Sequence, residues 1–285
     1  MTLYGAVGAG MAVFTRLGFR LRVEGRLELG AGTLYVVTHR SHLDVPVLCG
    51  ALYPRARRQR QPLPWFAVRD DLFLPGFFAH LAPGRLPLSL GIGDVLAGLL
   101  QCVPVRPSTR MRLVDLCRAE PQLPLEALPY ATELRARAVC HRLPEPRLAR
   151  DVLASRYADI LWRLIERDEA PAATTAWELR LGQARRDLER LTGVLRSGGS
   201  LVVFPEGTPS RDGRVGPIRR GTRLLVRRGR PRRIVPIALE YDRRPGRSTA
   251  IVRVGDAVPP PRDDVEERVR ELLRATAKEA VHAPA

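Results

Sequence analysis

The sequence predicts an α/β protein, a central mixed β-sheet flanked by helices, forming a single domain that carries a helical insertion. Three observations lead there. Short apolar runs rich in β-branched residues, "TLYVV" (33–37), "LVVF" (201–204) and "RRIVPIALEYD" (232–242), read as buried strands. Helical patterns separate them, the clearest being Trp177, Leu181, Ala184, Leu188, Leu191 and Leu195, which recur in steps of four and three. Strands alternating with helices indicate a sheet covered by helices. Residues 108–175 break that alternation with "EPQLPLEALP" and "LPEPR", and are read as an insertion or cap.

The elements follow in order. Residues 1–25 hold an apolar stretch, Leu3 to Phe14, followed by Arg16, Arg20 and Arg22. It lacks the basic leader and small-residue cleavage site of a signal peptide. A span needs about 20 apolar residues, so this stretch is read as a membrane-interfacial segment, the alternative being a first helix packed on the core. "LRVEGRLEL" (21–29) alternates like an edge strand, and "DVPVLCGALY" (44–53) suits a helix opening at Asp44. A basic loop, "PRARRQRQP", comes next. "PWFAVRDDLFLPGFFAHL" (64–81) reads as a strand and then a helical or loop segment, and "GDVLAGLLQCVPVRP" (93–107) as a helix and a short strand. Within the insertion, Leu153, Tyr157, Ile160 or Leu161, and Leu164 place one amphipathic helix. Thr175 with Glu178 suggests a capping box for the long helix, and Gly198-Gly199 its end. "STAIVRVGDAV" (248–258) reads as a further strand, and residues 262–281 as a charged, peripheral last helix.

Charge narrows the partners. The chain has 285 residues and a net charge of +17, and its only lysine is Lys278. Arginine in place of lysine follows genome composition as readily as function, so that choice carries no weight. The field itself attracts phosphates on lipids, substrates or nucleic acid. Stacking on single-stranded nucleic acid needs aromatics among the cations, and residues 201–245 offer only Phe204 and Tyr241 beside twelve arginines. The four cysteines, Cys49, Cys102, Cys117 and Cys140, form no CxxC pair, which supports neither a zinc site nor a disulfide framework.

Two turns carry chemistry. In "THRSHLD" (38–44), a histidine follows a strand and an aspartate comes five positions later, at the start of a helix. Asp44 can hold the Nδ1 proton of His39 and leave the other ring nitrogen to take a proton from a hydroxyl. Ser41 is a nucleophile candidate, more simply read as a cap, and His42 as a polar loop residue. His39, His42 and Asp44 find no further ligand elsewhere, so no metal is expected. In "FPEGTPSRDG" (204–213), a glycine turn, two hydroxyls and a guanidinium suit a phosphate.

Together the turns resemble the glycerolipid acyltransferase superfamily with its H-x4-D box. "HRSHLD" matches the first motif and "FPEGTPSR" the third, "VPIALEYD" (235–242) resembles the fourth, and "VPVRP" (103–107) more weakly the second. The resemblance covers residues 20–106 and 176–258. It implies an acyltransferase domain over 26–285, His39 as base and Asp44 as its partner. It also implies Arg106, Glu206, Gly207, Thr208, Ser210 and Arg211 at the acceptor phosphate, and Pro236 at the acyl chain. The implied reaction moves a fatty acyl group from acyl-CoA or acyl carrier protein, as co-substrate, to a glycerol phosphate hydroxyl. 1-Acylglycerol 3-phosphate is favoured over glycerol 3-phosphate. No cofactor is implied, and backbone amides near the first turn would hold the oxyanion. The implied partners are membrane phospholipids and not nucleic acid, with the chain peripheral or monotopic on the cytoplasmic face of the cell membrane. Thr38 stands where many relatives have asparagine. Pro209 replaces an arginine of the third motif, for which Arg219 or Arg220 are candidate substitutes. Two alternatives stay open: an inactive basic protein that binds membrane or nucleic acid, and an acyltransferase for a non-glycerol lipid acceptor.

Overall fold

In the computed structural model, residues 3–41, 43–69, 101–210, 213–242 and 248–277 are described. The chain divides into two compact units, one of residues 1–67, 99–103 and 188–285, the other of 68–98 and 104–187.

In the first unit, helix α1 (Leu3–Gly18) leads into strand β1 (Arg20–Glu24), then β2 (Thr33–Val37) and helix α2 (Asp44–Gln59). Strands β3 (Trp65–Arg69) and β4 (Cys102–Val105) begin here and end in residues of the second unit. After helix α6 (Thr174–Arg196) come β7 (Leu201–Val203), α7 (Arg220–Gly229), β8 (Arg233–Asp242), β9 (Thr249–Val254) and α8 (Val265–Ala277). Seven strands form one sheet in the order β1-β9-β8-β2-β7-β3-β4. β8 and β9 run antiparallel, while β2 is parallel to both β7 and β8, so the sheet is mixed, as expected. Every residue of β2 is buried, which suits a central strand covered on both faces. Leu34, Val36, Leu201 and Val203 of the sheet pack with Leu191, Leu195, Leu225, Val265, Val269 and Leu273 of three helices.

Several local expectations are corrected here. Residues 20–24 pair with β9, so the boundary drawn at residue 25 falls after an edge strand of the sheet. The basic "loop" 54–62 is largely the end of α2, which runs through Pro54 because Leu48, Ala51, Leu52 and Ala56 keep one face buried. The last helix is not peripheral: Val265, Val269 and Leu273 are fully buried along one face. The segments foreseen at 70–81 and 93–100 lie outside the described residues.

The second unit has its own core. Strands β5 (Arg110–Arg112) and β6 (Leu164–Glu166) pair antiparallel, and helices α3 (Leu113–Ala119), α4 (Ala131–Cys140) and α5 (Ala158–Leu161) fill the space between them in sequence. Leu116, Leu125, Leu134, Tyr157, Ile160 and Trp177 are buried together, so the prolines punctuate a packed region. The single helix expected at 153–164 is instead one 3-10 turn (Ser155–Tyr157), the short α5 and the start of β6. Three- and four-residue spacing also satisfies a series of tight turns. Past Arg163 the pattern becomes a strand's, with Ile165 buried and Leu164 exposed. The long helix begins at Thr174, so Thr175 lies inside it rather than at the cap. It ends at Arg196, two residues before Gly198, whose φ of 82° is the left-handed conformation that stops a helix.

Helix α1 packs one face on α2. The Thr15 hydroxyl, buried, is 2.8 Å from both the Met11 and Pro46 carbonyls, and the Tyr4 hydroxyl donates to the Pro64 carbonyl at 2.5 Å. The other face exposes Val13, Phe14 and Leu17. Among the described residues, no helix is long and apolar enough to cross a membrane. A Cβ at Gly50 would stand 2.9 Å from Thr15 Cβ and Cγ2, atoms pinned by that hydroxyl's two contacts. Gly50→Ala is therefore expected to destabilise the fold by about 1–2 kcal/mol despite the better helix former. Gly193→Ala in α6 meets open space and should stabilise by about 0.5–1 kcal/mol. Urea unfolding of both variants checks the pair of signs.

Candidate active site

Topology brings the two turns together. β2 and β7 are parallel neighbours, with Val36 opposite Val203, so the segments leaving their C-terminal ends emerge at the same edge of the sheet. His39 follows β2 by two residues and Glu206 follows β7 by three. The Glu206 carboxylate then joins the segments: Oε1 accepts from the His39 amide at 2.9 Å, and Oε2 from the Gly216 amide at 2.9 Å. The Ser210 amide donates to the His39 carbonyl at 2.8 Å, and the Arg40 guanidinium to the Arg214 carbonyl at 2.8 Å.

His39 Nδ1 lies 2.7 Å from Asp44 Oδ2, which places the proton on Nδ1 in the neutral ring. Asp44 is fully buried at the start of α2, and the same Oδ2 accepts from the amides of Arg40 and Ser41 at 2.7 and 3.0 Å. Asp44 Oδ1 accepts from the Tyr241 hydroxyl at 2.7 Å. Burial, then the Asp44 charge and its hydrogen bond, push the Tyr241 phenol far above its usual value, so it stays a donor at any working pH. The Phe204 ring packs on the His39 imidazole with centroids 4.8 Å apart. Among the described residues, no hydrogen-bond partner holds the far ring nitrogen, Nε2, and the side chain keeps 13% of its exposure.

The other predicted residues divide. Ser41 is local structure, its hydroxyl accepting from the Leu43 amide at 3.2 Å; His42 and Arg211 lie outside the described residues. Gly207 has φ of 74°, which favours glycine, and its amide closes a turn onto the Phe204 carbonyl at 3.0 Å. Thr208 is exposed and Ser210 half-buried on the same turn. Arg219 donates from Nε to the Glu206 carbonyl at 3.2 Å. Pro236 is buried in β8 opposite Val36, and its carbonyl accepts from the Gly255 amide at 2.9 Å. Arg106 lies in the second unit, where Nη1 is 2.9 Å from Asp187 Oδ1. The amides of residues 39, 40, 41, 43 and 44 all bond within the protein.

Sequence reasoning missed Tyr241, Gly216 and Phe204 as site residues. Tyr241 and Phe204 stand within the quoted motifs, but only strand register shows that β8 runs beyond its pairing with Val37 to bring Tyr241 to Asp44. Thr38 is buried, with its hydroxyl accepting from the Leu239 amide at 2.8 Å, so it ties the end of β2 to β8.

Two buried thiols can be set aside as nucleophiles. Burial pushes Cys49 and Cys117 up to about 12, where the thiolate is scarce at neutral pH.

Tyr241→Phe leaves Asp44 Oδ1 without that donor and is expected to cost about 1–3 kcal/mol of stability. It should also change the alkaline limb. A phenol raised in the folded state above its ordinary 10.0 contributes stability that is complete below about pH 10 and declines as pH rises further. The fall in unfolding free energy above pH 10 should therefore be shallower in Tyr241→Phe than in the wild type, as read from urea titrations across that range.

The model of the Acyltransferase family matches residues 163–240, a segment that contains the Glu206 turn and most of β8 but neither His39 nor Asp44. No curated protein matches the chain. Similar solved structures include the 1-acyl-sn-glycerophosphate (LPA) acyltransferase PlsC from Thermotoga maritima, at 12% identity and a TM-score of 0.49, covering 99% of this chain and 83% of that one. By the family match, residues 163–240 of the chain are similar to the Acyltransferase family.

Proposed function

We propose that the protein transfers a fatty acyl group from a thioester, acyl-CoA or acyl carrier protein, to the free hydroxyl of a glycerol phosphate lipid. 1-Acylglycerol 3-phosphate is the favoured acceptor, ahead of glycerol 3-phosphate, and the product enters phospholipid synthesis. The observation that carries this is the 2.7 Å contact between His39 Nδ1 and Asp44 Oδ2, set beside the Glu206 turn. His39 Nε2 takes the proton from the acceptor hydroxyl as its oxygen attacks the thioester carbonyl. The tetrahedral intermediate collapses, the C–S bond breaks, and the imidazolium returns the proton to the departing thiolate. Asp44 keeps the ring in the required tautomer and stabilises its charged form, as a carboxylate does in a serine hydrolase triad.

The acceptor phosphate is assigned to the turn after β7, where Thr208, Ser210, Arg211 and Arg219 supply donors. Glu206 has no donor to offer a phosphate and acts as a positioning residue through its two amides. Arg106, with Nη1 2.9 Å from Asp187 Oδ1, keeps its assignment to the acceptor phosphate. The reading needs no metal or cofactor. The exposed Val13, Phe14 and Leu17 support a peripheral position on a phospholipid membrane, which we assign to the cytoplasmic face.

The test supplies membranes bearing wild-type or His39→Ala protein with labelled oleoyl thioesters, a panel of lysolipids, and glycerol 3-phosphate. Wild type should acylate 1-acylglycerol 3-phosphate, and His39→Ala should be about 10²–10⁴-fold slower. Equal rates for the two proteins would refute the mechanism. Transfer only to an acceptor without a phosphate would move the assignment to a different lipid.

A further inference from the structure

A second concave site lies where α1, β1 and α2 meet. This pocket, of about 570 Å³, is lined by Arg16, Phe19, Arg20 and Leu21 at the end of α1 and start of β1, and by Arg55 and Arg58 in the last turns of α2. Among the described residues, none of these four arginines has a carboxylate within ion-pair distance. Other arginines of the unit do: Arg253 pairs with Glu24 and Glu240, Arg223 with Glu266 and Arg233 with Glu28. Among the described residues, Arg55 bonds only the Ala51 carbonyl, 3.0 Å from Nη1, and burial and then the Arg58 charge hold its guanidinium below the usual value. Clustered guanidiniums with no internal counter-charge are the arrangement that receives an oxyanion from outside.

A separate observation says where that anion comes from. On the last two turns of α1, Val13, Phe14 and Leu17 are 57%, 52% and 77% exposed, directly beside Arg16. Large apolar side chains held in water next to a cationic pocket suit the boundary of a bilayer, where the chains are apolar and the headgroups carry phosphate. The pocket is also apart from the acceptor turn. Helix α2 starts at Asp44 beside the dyad, and at 1.5 Å per residue Arg55 and Arg58 stand about 16–21 Å further along its axis. Phe19 nonetheless reaches the Tyr241 ring, with centroids 5.9 Å apart, so the pocket and the dyad rest on adjoining side chains.

We propose that this pocket binds the phosphate of an anionic phospholipid headgroup in the membrane, with Val13, Phe14 and Leu17 set among the acyl chains. The enzyme then docks preferentially on anionic bilayers. This deepens the peripheral-membrane reading above and rests on it, but it is independent of the acyl transfer step.

Co-sedimentation of the full chain with vesicles of phosphatidylcholine, alone or mixed with phosphatidylglycerol, tests it. Wild type should prefer the mixed vesicles. Arg55→Gln/Arg58→Gln should weaken binding to mixed vesicles by about tenfold or more and leave phosphatidylcholine binding unchanged. Arg227→Gln/Arg228→Gln, which removes the same charge from the exposed face of α7, should weaken it far less. Val13→Ser/Leu17→Ser should weaken binding to both vesicles. Arg58→Gln alone, at an exposed position, keeps the test valid if the double variant unfolds, and should show part of the same loss. Equal losses from the α2 and α7 pairs would replace the pocket with general surface charge and overturn the proposal. Equal wild-type binding to both vesicles overturns the pocket but spares the peripheral reading, while no binding to either removes both.

Discussion

The Glu206 carboxylate is the constraint on which the site depends. It is 4% exposed, and its two oxygens are taken by backbone amides ten residues apart in sequence space on one side and 167 apart on the other. A carboxylate in such a place is costly unless its lone pairs are satisfied, so the sites it can occupy are few. Both partners here are main-chain N–H groups, which cannot swing to a different rotamer. The segment after β2 is therefore fixed to the segment after β7 as firmly as the sheet fixes the strands themselves. Without that link, parallel pairing of β2 and β7 would deliver the two turns to one edge of the sheet but would not set the orientation of His39.

Asp44 continues the same logic one step further. An ionised carboxylate has about four lone-pair positions, and Asp44 receives four donors: the His39 ring, the Arg40 and Ser41 amides and the Tyr241 hydroxyl. Saturation leaves one low-energy arrangement. It also explains why the turn is polar and compact, since two of its amides must reach back to the aspartate that opens the helix. The structural consequence is that Asp44 is anchored by main chain and by a phenol from β8, while His39 Nε2 is left without a partner among the described residues. Arg40 and Ser41, between His39 and Asp44, hold Asp44 through their backbone amides, and the Arg40 guanidinium also donates to the Arg214 carbonyl.

How much of this was legible in the sequence follows from what kind of information each feature needs. The dyad was legible because His39 and Asp44 are close in sequence, and a five-residue step across a strand–helix turn leaves little freedom. The buried strands were legible because residues 34–37, 201–203 and 234–239 are buried and apolar without interruption. Tyr241 was not, because its contact with Asp44 depends on how far β8 runs past β2, a matter of register. Glu206 was visible but its task was not. In "FPEG" it stands among phosphate-binding residue types, and only the folded chain brings its oxygens to the His39 and Gly216 amides. The stretch 149–166 misled for a different reason. Leu153, Tyr157, Ile160 and Leu164 recur at helical spacing, yet the last three fall in separate short elements, and Leu164 is exposed on a strand, which periodicity does not distinguish from one continuous helix.

The arginine excess divides along the same line between inward and outward work. Arg253 bridges Glu24 on β1 and Glu240 on β8 across the strand that carries it, so its charge is consumed in joining three strands of the sheet. Exposed pairs such as Arg268 with Glu271 contribute between nothing and about 1 kcal/mol each, and salt weakens them. Neither kind explains a net charge of +17, because a paired arginine brings its own neutralising acid. The surplus must reside in cations without carboxylates, and such groups repel one another at a cost to the compact state. That cost is offset when an external polyanion is the working environment. A bilayer of anionic lipid supplies one, and it supplies it on a plane. Cations near the exposed apolar turn of α1 would then gain most from binding, while those on distant faces would remain solvated and add mainly to the long-range attraction.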